Sequence, residues 1–413
     1  MLHNRLYDAP SGMRGYLHQL RVSGGLREPG LVSGAVLTLT ALAFFRVALL
    51  PDFGEELGMT TFQLGAVTTT FAIGRLVADL PGGHFADRVK ARNLIALSAA
   101  GVAAGSLILG LSAAALTVYL SAFLLGISSA TTNATGMTFF SNVGGSAHRG
   151  TSMAVFSAAL LGGQAIGPAV AGLLASATDW RVAMMVASAA AVLIAVVLLL
   201  ARPRDPLAGI IPGSRRASDF VGPGGPPLAS LLVLQSVSFA VFLTLGAVPQ
   251  TLVPLIGADD LGLGTAAIGL ALGLGGLARF AGTIVGGTLS DRVSRKAALV
   301  PGLVVQATGV ALLALEPSLA TWLAAIVIMS LASFAVPVAA TILGDITESS
   351  RVGAQLGRFR FVGDLGLIVG PLVVSALFQA VGRAAAFGFV AVTLLVPALL
   401  SWRFLPDNGR SVS

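Results

Sequence analysis

Residues 83–92 read GHFADRVKAR, and residues 287–296 read GTLSDRVSRK. Both stretches begin with Gly, share the core Asp-Arg-Val and end in basic residues, and each lies where a long apolar segment meets a basic loop. Arg75 and Arg279 each lie twelve residues before the Asp of their own stretch. A repeat at a fixed spacing indicates a duplicated architecture. The sequence therefore predicts two related halves.

The composition is that of a membrane protein. The 413 residues are 55% hydrophobic and 10% charged, with a mean hydropathy of +0.89, which is far too apolar for a soluble domain. Apolar runs of ~20 residues are long enough to cross a bilayer, and they must be helical because strand edges cannot be satisfied in lipid. The twelve predicted spans are 31–50, 62–85, 94–112, 115–140, 151–176, 182–201, 229–255, 266–288, 297–315, 319–343, 353–379 and 384–402. The chain is thus predicted to be an all-α membrane protein.

The positive charge is distributed by side of the membrane. The formal net charge is +7, and nearly all loop Arg and Lys fall on one side of the twelve-span arrangement, while the other side has Arg181 and Arg383. This bias predicts that both termini are cytoplasmic in a multi-pass protein of the cell inner membrane. It also explains the basic composition without a nucleic-acid partner. The first residues lack the apolar core of a cleaved signal peptide.

Changes in composition divide the chain. We expect a cytoplasmic tail at 1–30, a six-helix bundle at 31–201, a linker at 202–228, a second six-helix bundle at 229–402 and a tail at 403–413. The linker is rich in Pro, Gly and Arg, which disfavours a stable helix.

A Gly-Pro pattern is also duplicated. Gly167 and Pro168 in the fifth span follow Gly150 at the same spacing at which Gly370 and Pro371 in the eleventh follow Gly353. Gly163 lies one turn before Gly167. Gly and Pro within a helix permit close helix packing or a bend, and both readings remain open.

These features resemble the major facilitator superfamily. The repeated G-x-x-x-D-R loop is similar to its signature between helices two and three, and the motif in the fifth span is similar to one found in the family's exporters, including drug antiporters. The resemblance covers residues 31–402. It implies two pseudo-symmetric six-helix bundles that work by alternating access, with helix two packed on eleven and helix five on eight. The expected partners are a small-molecule substrate, protons and the lipid bilayer, and the expected functional unit is a monomer.

The resemblance also implies a cytoplasmic gate. Asp87 would lie near the start of the eleventh helix and Asp291 near the start of the fifth, where the helix dipole favours a carboxylate by up to about 1–2 kcal/mol. The alternative is that the motif only orients the chain by its positive charge. The expected gate residues are Gly83, Asp87, Arg88, Arg92, Gly287, Asp291, Arg292 and Lys296.

Four charges lie well inside two predicted spans. Arg75 and Asp79 are four residues apart on the second span, and Arg360 and Asp364 are four apart on the eleventh, so each pair shares a helix face. If the two helices pack antiparallel, Arg75 meets Asp364 and Asp79 meets Arg360. Such charges are costly in a bilayer and need a partner or a purpose. We expect interdomain ion pairs that hold one access state, or that only support assembly. Both Asp are the leading candidates for proton coupling.

Other polar residues inside the spans are candidates for a substrate cavity. They are Arg46, Asn133, Gln164, Gln235 and Arg279. Arg46 lies near the outer end of its span and could instead extend to the interface. Arg279 has no acidic counterpart, because the position equivalent to Asp364 is Leu161. It is therefore either an anion ligand or a hydrogen-bond donor to Gln164 or to backbone carbonyls.

No constellation of enzyme residues is visible, and the sequence lacks Cys and a nucleotide-binding motif. We expect no cofactor and no metal. The favoured function is secondary active transport, with proton-coupled export of amphipathic compounds. The alternatives are an organic anion transporter and, in another class, a transporter-like sensor that binds without transport.

Overall fold

The computed structural model describes residues 27–86, 90–143, 145–201, 228–348 and 351–405, which are helical with short turns. Within these ranges the chain is π-helical at Val248–Leu252 and Ile256–Asp260. The α-helices are α1 (Arg27–Ala48), α2 (Leu50–Glu56), α3 (Thr61–Ala86), α4 (Ala91–Gly110), α5 (Ala115–Val143), α6 (Gly145–Ala177), α7 (Trp180–Ala201), α8 (Leu228–Ala247), α9 (Val253–Leu255), α10 (Thr265–Arg292), α11 (Arg295–Leu312), α12 (Leu319–Leu331), α13 (Ala335–Ile346), α14 (Val352–Ala380) and α15 (Arg383–Phe404).

Ten helical stretches in the described part of the chain are long and apolar enough to cross a membrane. The helices α3 and α11 are not among them, although they contain 26 and 18 residues. The helix α3 carries Arg75 and Asp79, and α11 begins with Arg295 and Lys296, and these charges lower their mean hydropathy. Twelve spans therefore stay a prediction.

The helix α1 begins before the predicted boundary. It starts at Arg27, whereas the first 30 residues were expected to form a tail. Pro29 lies in the first turn, where its missing N–H removes no helical hydrogen bond, so the helix can extend through it.

The helices pack mainly within two groups, which we call the first half (α1–α7) and the second half (α8–α15). In the first half α1 packs on α6, α3 on α5 and α4 on α7. In the second half α8 packs on α14, α10 on α12 and α11 on α15. The halves meet where α3 packs on α14 and where α6 packs on α10. These are the expected contacts of span two with eleven and of span five with eight.

The duplication extends to the backbone of two turns. Gly58, just after α2, has φ 62°, and Gly262, after the second π-helical segment, has φ 61°. The turn at Gly58 joins the first predicted span to α3, and the turn at Gly262 joins the seventh predicted span to α10. Only Gly adopts this left-handed conformation readily, so the same residue type ends the same element twice.

One face of α7 is apolar and exposed, as expected for contact with lipid. The buried face of this helix is lined by small residues, including Ala183, Ala187 and Ala191. The exposed side chains are Val192, Leu193, Val196, Leu199 and Leu200.

The long helices define two ends of the molecule. The motif end carries Lys90 at the start of α4 and Asp291 near the end of α10. The opposite end carries the turns at Gly58 and Gly262. The functional site lies between these ends.

Candidate functional site

A cavity lies between the two halves, about midway along the helices that line it. It contains about 790 Å³ of empty space, part of which is continuous with open solvent. Helices α1 and α6 line it from the first half, and α8, α10, α11 and α12 from the second. Most wall residues are apolar. The polar residues of the wall are Gln164, Thr244, Gln250, Arg279, Gln306, Ser330 and Ser333.

Arg279 is the one charged residue among the described residues of this wall. Its Nη1 donates a long hydrogen bond of 3.4 Å to Oε1 of Gln164 across the interface between the halves. Both residues were expected in the cavity, and both predicted roles of Arg279 are compatible with this position. Leu161, the counterpart of Asp364, also lines the wall.

Two irregular segments contribute wall residues that the sequence did not single out. Gln250 lies in the π-helical segment Val248–Leu252, and Ser333 lies in the turn between α12 and α13. π-Helical turns are frequent at functional sites. The Pro249-Gln250 pair within an apolar run was the available signal, because Pro disrupts regular helical hydrogen bonding.

Three expected cavity residues do not line the wall. Asn133 and Gln235 are half-buried in α5 and α8, and the neighbouring hydroxyls of α5 bond within the first half, as Thr132 does with Ser98. Arg46 is fully buried and is not among the residues of the wall, so a role in substrate binding stays a prediction for all three.

Arg46 instead joins the halves behind the cavity. Its Nη2 donates to Oε1 of Gln250 at 3.0 Å, and its guanidinium lies 4.0 Å from the ring centroid of Phe71. The Nε and Nη1 groups are buried without a hydrogen-bond partner among the described residues. A buried cation with so few partners is costly, so the contact with Gln250 matters for this arrangement.

The four intramembrane charges form a network in which one of the two predicted contacts is present. Nη2 of Arg360 lies 3.4 Å from Oδ2 of Asp79. Within the described ranges no carboxylate oxygen lies within 4 Å of the Arg75 guanidinium. The Nε of Arg75 and the Oδ1 of Asp364 are both buried and unpaired. The expected second ion pair is thus not formed in this arrangement.

The opposite end is closed by polar contacts between the halves. Oγ1 of Thr265 lies 2.9 Å from both carboxylate oxygens of Asp52. The backbone N–H of Phe62 donates to Oε1 of Gln379 at 3.0 Å. Toward the motif end, the contact between Asp79 and Arg360 is the one such polar bridge within the described ranges.

Closure of the opposite end is expected to depend on pH through Asp52. Burial raises the pKa of this carboxyl, and the nearby Asp179 and Glu55 carboxylates also raise it, while the Thr265 hydrogen bond opposes them. A raised pKa means that the closed arrangement binds the proton more tightly than a hydrated one, so lowering the pH favours closure and raising it removes that preference. Distances between spin labels across this end should shorten at low pH in wild type, and Asp52→Asn should flatten the dependence. An unchanged pH profile in the variant would contradict this role.

The first copy of the gate motif is only partly described. Asp87 and Arg88 lie outside the described residues. Gly83 lies in the last turns of α3, and Nε of Arg92 donates to Oδ1 of its neighbour Asn93 at 3.2 Å. The predicted contact of Asp87 with α14 therefore stays a prediction.

The second copy lies at the end of α10 and the start of α11. Asp291 and Arg292 are exposed, and Nζ of Lys296 donates to the carbonyl oxygen of Leu405 at 3.1 Å. A methyl group built on Gly287 would meet nothing within 4 Å. The side chains at the start of α6, where the partner of Asp291 was expected, lie outside the described residues, so a latch stays a prediction.

The glycines of the Gly-Pro motifs bring helices close together. A Cβ atom on Gly167 would lie 2.9 Å from the Cα atom of Ala41 in α1, and one on Gly370 would lie 2.9 Å from the Cα atom of Leu243 in α8. Gly163 also packs against α1. The prolines that follow lie inside the uninterrupted helices α6 and α14. The motif thus makes the same close contact in each half.

Comparison with a family model gives the broadest relationship. The model of the Major Facilitator Superfamily matches residues 31–257 and, a second time, residues 231–412. The tetracycline resistance protein, class G, of Vibrio anguillarum is 31% identical over 152 residues, which make up 35% of this chain. That match spans 38% of the length of the relative.

Solved structures share the fold at low sequence identity. An inward-facing, unoccupied bacterial homologue of the human lysosomal transporter Spinster has a TM-score of 0.73 and 15% identity, covering 92% of this chain and 97% of its own. The human organic anion transporter MFSD10 has a TM-score of 0.62 and 21% identity, covering 91% and 99%. A POT family transporter in complex with 5-aminolevulinic acid has a TM-score of 0.73 and 12% identity, covering 92% and 96%. These likenesses show a shared fold, and the match to the family model over most of its length identifies the chain as a member of the major facilitator superfamily of membrane transporters.

Proposed function

We propose that this chain is a secondary active transporter that exports amphipathic small molecules in exchange for protons. The observation that carries the proposal is the cavity between the halves, which is closed at the opposite end by contacts between them. Alternating access requires the halves to separate at one end while they close at the other. The proposal includes twelve spans in two six-helix bundles, cytoplasmic termini in the inner membrane and a functional monomer.

The wall of the cavity supports an amphipathic substrate. Phe44, Val47, Leu272, Ile326 and Met329 provide apolar surface. The polar groups are few and are contributed by both halves. A mainly apolar site with a few placed polar groups is typical of small-molecule binding sites.

The charge network supports proton coupling. Asp364 is 1% exposed, and its Oδ1 has no partner in the described structure. A buried carboxyl without a paired cation favours the protonated form, and an adjacent Arg favours the charged form. Movement of Arg75 toward Asp364 would therefore release a proton as the halves change their arrangement.

The direction of transport is supported by the relative. The tetracycline resistance protein is named for resistance, and a resistance function is compatible with export. The Gly-Pro motif, which resembles that of exporters in the family, supports the same direction.

Proteoliposomes test this function directly. The probes are 2-naphthalenesulfonate, 2-naphthalenesulfonamide and (2-naphthylmethyl)trimethylammonium, which share a ring system but differ in charge. An imposed pH gradient should drive uphill movement of at least one probe, and a protonophore should abolish it. Protein-free vesicles are the control. Binding without any gradient-driven flux would support a sensor instead.

A further inference from the structure

We propose that the cavity selects amphipathic anions and that Arg279 binds their anionic head group. This inference rests on the proposed function and names its substrate class. The halves meet at two interfaces built from equivalent helices, α3 with α14 and α6 with α10.

The interface between α3 and α14 carries a balanced set of charges. Arg75 and Asp79 lie on one helix, and Arg360 and Asp364 lie on the other. Two cations therefore face two carboxylates. Each Arg of this interface has an acid in its own network, and the set can be neutral without a ligand.

The interface between α6 and α10 has lost three of these four charges. Thr283, Ser157 and Leu161 stand at the positions equivalent to Asp79, Arg360 and Asp364, and only Arg279 is retained. Leu161 and Arg279 both line the cavity. The place of the missing carboxylate is therefore on the cavity wall.

Few described groups of the protein stabilise the positive charge of Arg279. Its one hydrogen bond to a side chain in the described structure is the 3.4 Å contact with Gln164, which is neutral and long. No carboxylate lies among the described residues of the wall. An Arg within the bilayer is costly and marks a ligand or ion pathway when it faces a cavity. A ligand anion would supply both the charge and the acceptor atoms that the wall lacks.

The neighbouring groups fit the same ligand. Gln164, which contacts Arg279, and Gln306 and Ser330, which line the same cavity, can donate hydrogen bonds to a head group. Leu272 and Ile326 provide apolar surface for the body of the molecule. A cationic amphipath would instead bring a second positive charge to a wall whose described residues include no acid to balance it.

Equilibrium binding of the three naphthalene probes to the purified full-length protein tests the inference. We expect the sulfonate to bind at least about tenfold more tightly than the sulfonamide or the trimethylammonium probe, because hydrogen bonds to charged groups are the stronger ones. Arg279→Gln should remove this preference, and Arg279→Lys should retain part of it. Arg351→Gln, which removes an exposed Arg outside the cavity, is the matched control and should leave the preference intact.

The outcomes separate this inference from the proposed function. Gradient-driven flux of the trimethylammonium probe that is unaffected by Arg279→Gln would leave proton-coupled transport standing and overturn the anion assignment. Arg279-dependent binding of the sulfonate without gradient-driven flux would support the anion assignment and overturn proton-coupled transport. Absence of binding by all three probes, or a sulfonate preference that survives Arg279→Gln, would also overturn the assignment. Decanesulfonate carries a lipid-like alkyl chain in place of the ring, so comparing its affinity with that of 2-naphthalenesulfonate shows which apolar group the cavity prefers. Arg279-dependent binding of either sulfonate supports the anion class.

Discussion

Asp364→Asn is expected to abolish proton-driven accumulation while leaving exchange of substrate across the membrane intact. A gradient of one pH unit stores about 1.4 kcal/mol per proton, which supports about tenfold accumulation when one proton moves per substrate. The amide cannot exchange a proton, so the variant should equilibrate its substrate without accumulation. The measurement is the steady-state distribution of the transported naphthalene probe in proteoliposomes with an imposed pH gradient.

The matched control is Asp345→Asn. Asp345 forms an ion pair with Arg295 outside the charge network, so its loss removes a carboxylate without touching the proposed proton site. Retained accumulation in Asp364→Asn would exclude this residue from coupling. The Arg75→Ala and Asp364→Ala substitutions, alone and combined, add a second test, because independent effects on transport rate would mean that the two residues do not act as a pair.

Gly269→Ala is expected to prevent closure of the opposite end. A Cβ atom on Gly269 would lie 3.0 Å from the Cα atom of Gly172 and closer still to the carbonyl oxygen of Pro168. These are backbone atoms of the other half, so α6 and α10 must move apart. Overpacking of this kind costs about 1–3 kcal/mol, which shifts the closed population by about 5- to 150-fold. Accessibility of single cysteines at this end, introduced into the Cys-free chain, measures the shift.

Gly388→Ala is the control for this substitution. It lies within α15, and a Cβ atom there would meet nothing within 4 Å. It therefore reports the gain in helix propensity from replacing Gly, about 1 kcal/mol, without a clash. An opposite end that stays closed in Gly269→Ala would contradict the packing role assigned to this contact.

Much of the fold could be predicted because it depends on local chemistry. Apolar runs of bilayer length specify helices, and the repeated motif indicates two related halves. The contact between Asp79 and Arg360 follows from antiparallel register, which sets the depth of residues on neighbouring helices.

The rest depends on features that register does not determine. Arg75 and Asp364 lie on the same two helices as the Asp79–Arg360 contact but form no ion pair, so spacing along a helix does not by itself determine which contacts form. The burial of Arg46 depends on Gln250, whose direction is set by a π-helical segment that apolar periodicity does not reveal. Asn133 is a polar residue in an apolar helix, as expected of a cavity residue, but it is half-buried and is not among the residues of the wall.

Two distances measured in the same protein test alternating access most directly. Spin labels at Thr178 and Gly264 span the halves at the opposite end, and labels at Gly150 and Thr288 span them at the motif end. The native chain contains no Cys, so each pair can be labelled without background. When pH or the naphthalene probe is varied, one distance should lengthen as the other shortens. Two distances that stay constant, or that lengthen together, would contradict a transporter in which the halves rock around a central cavity.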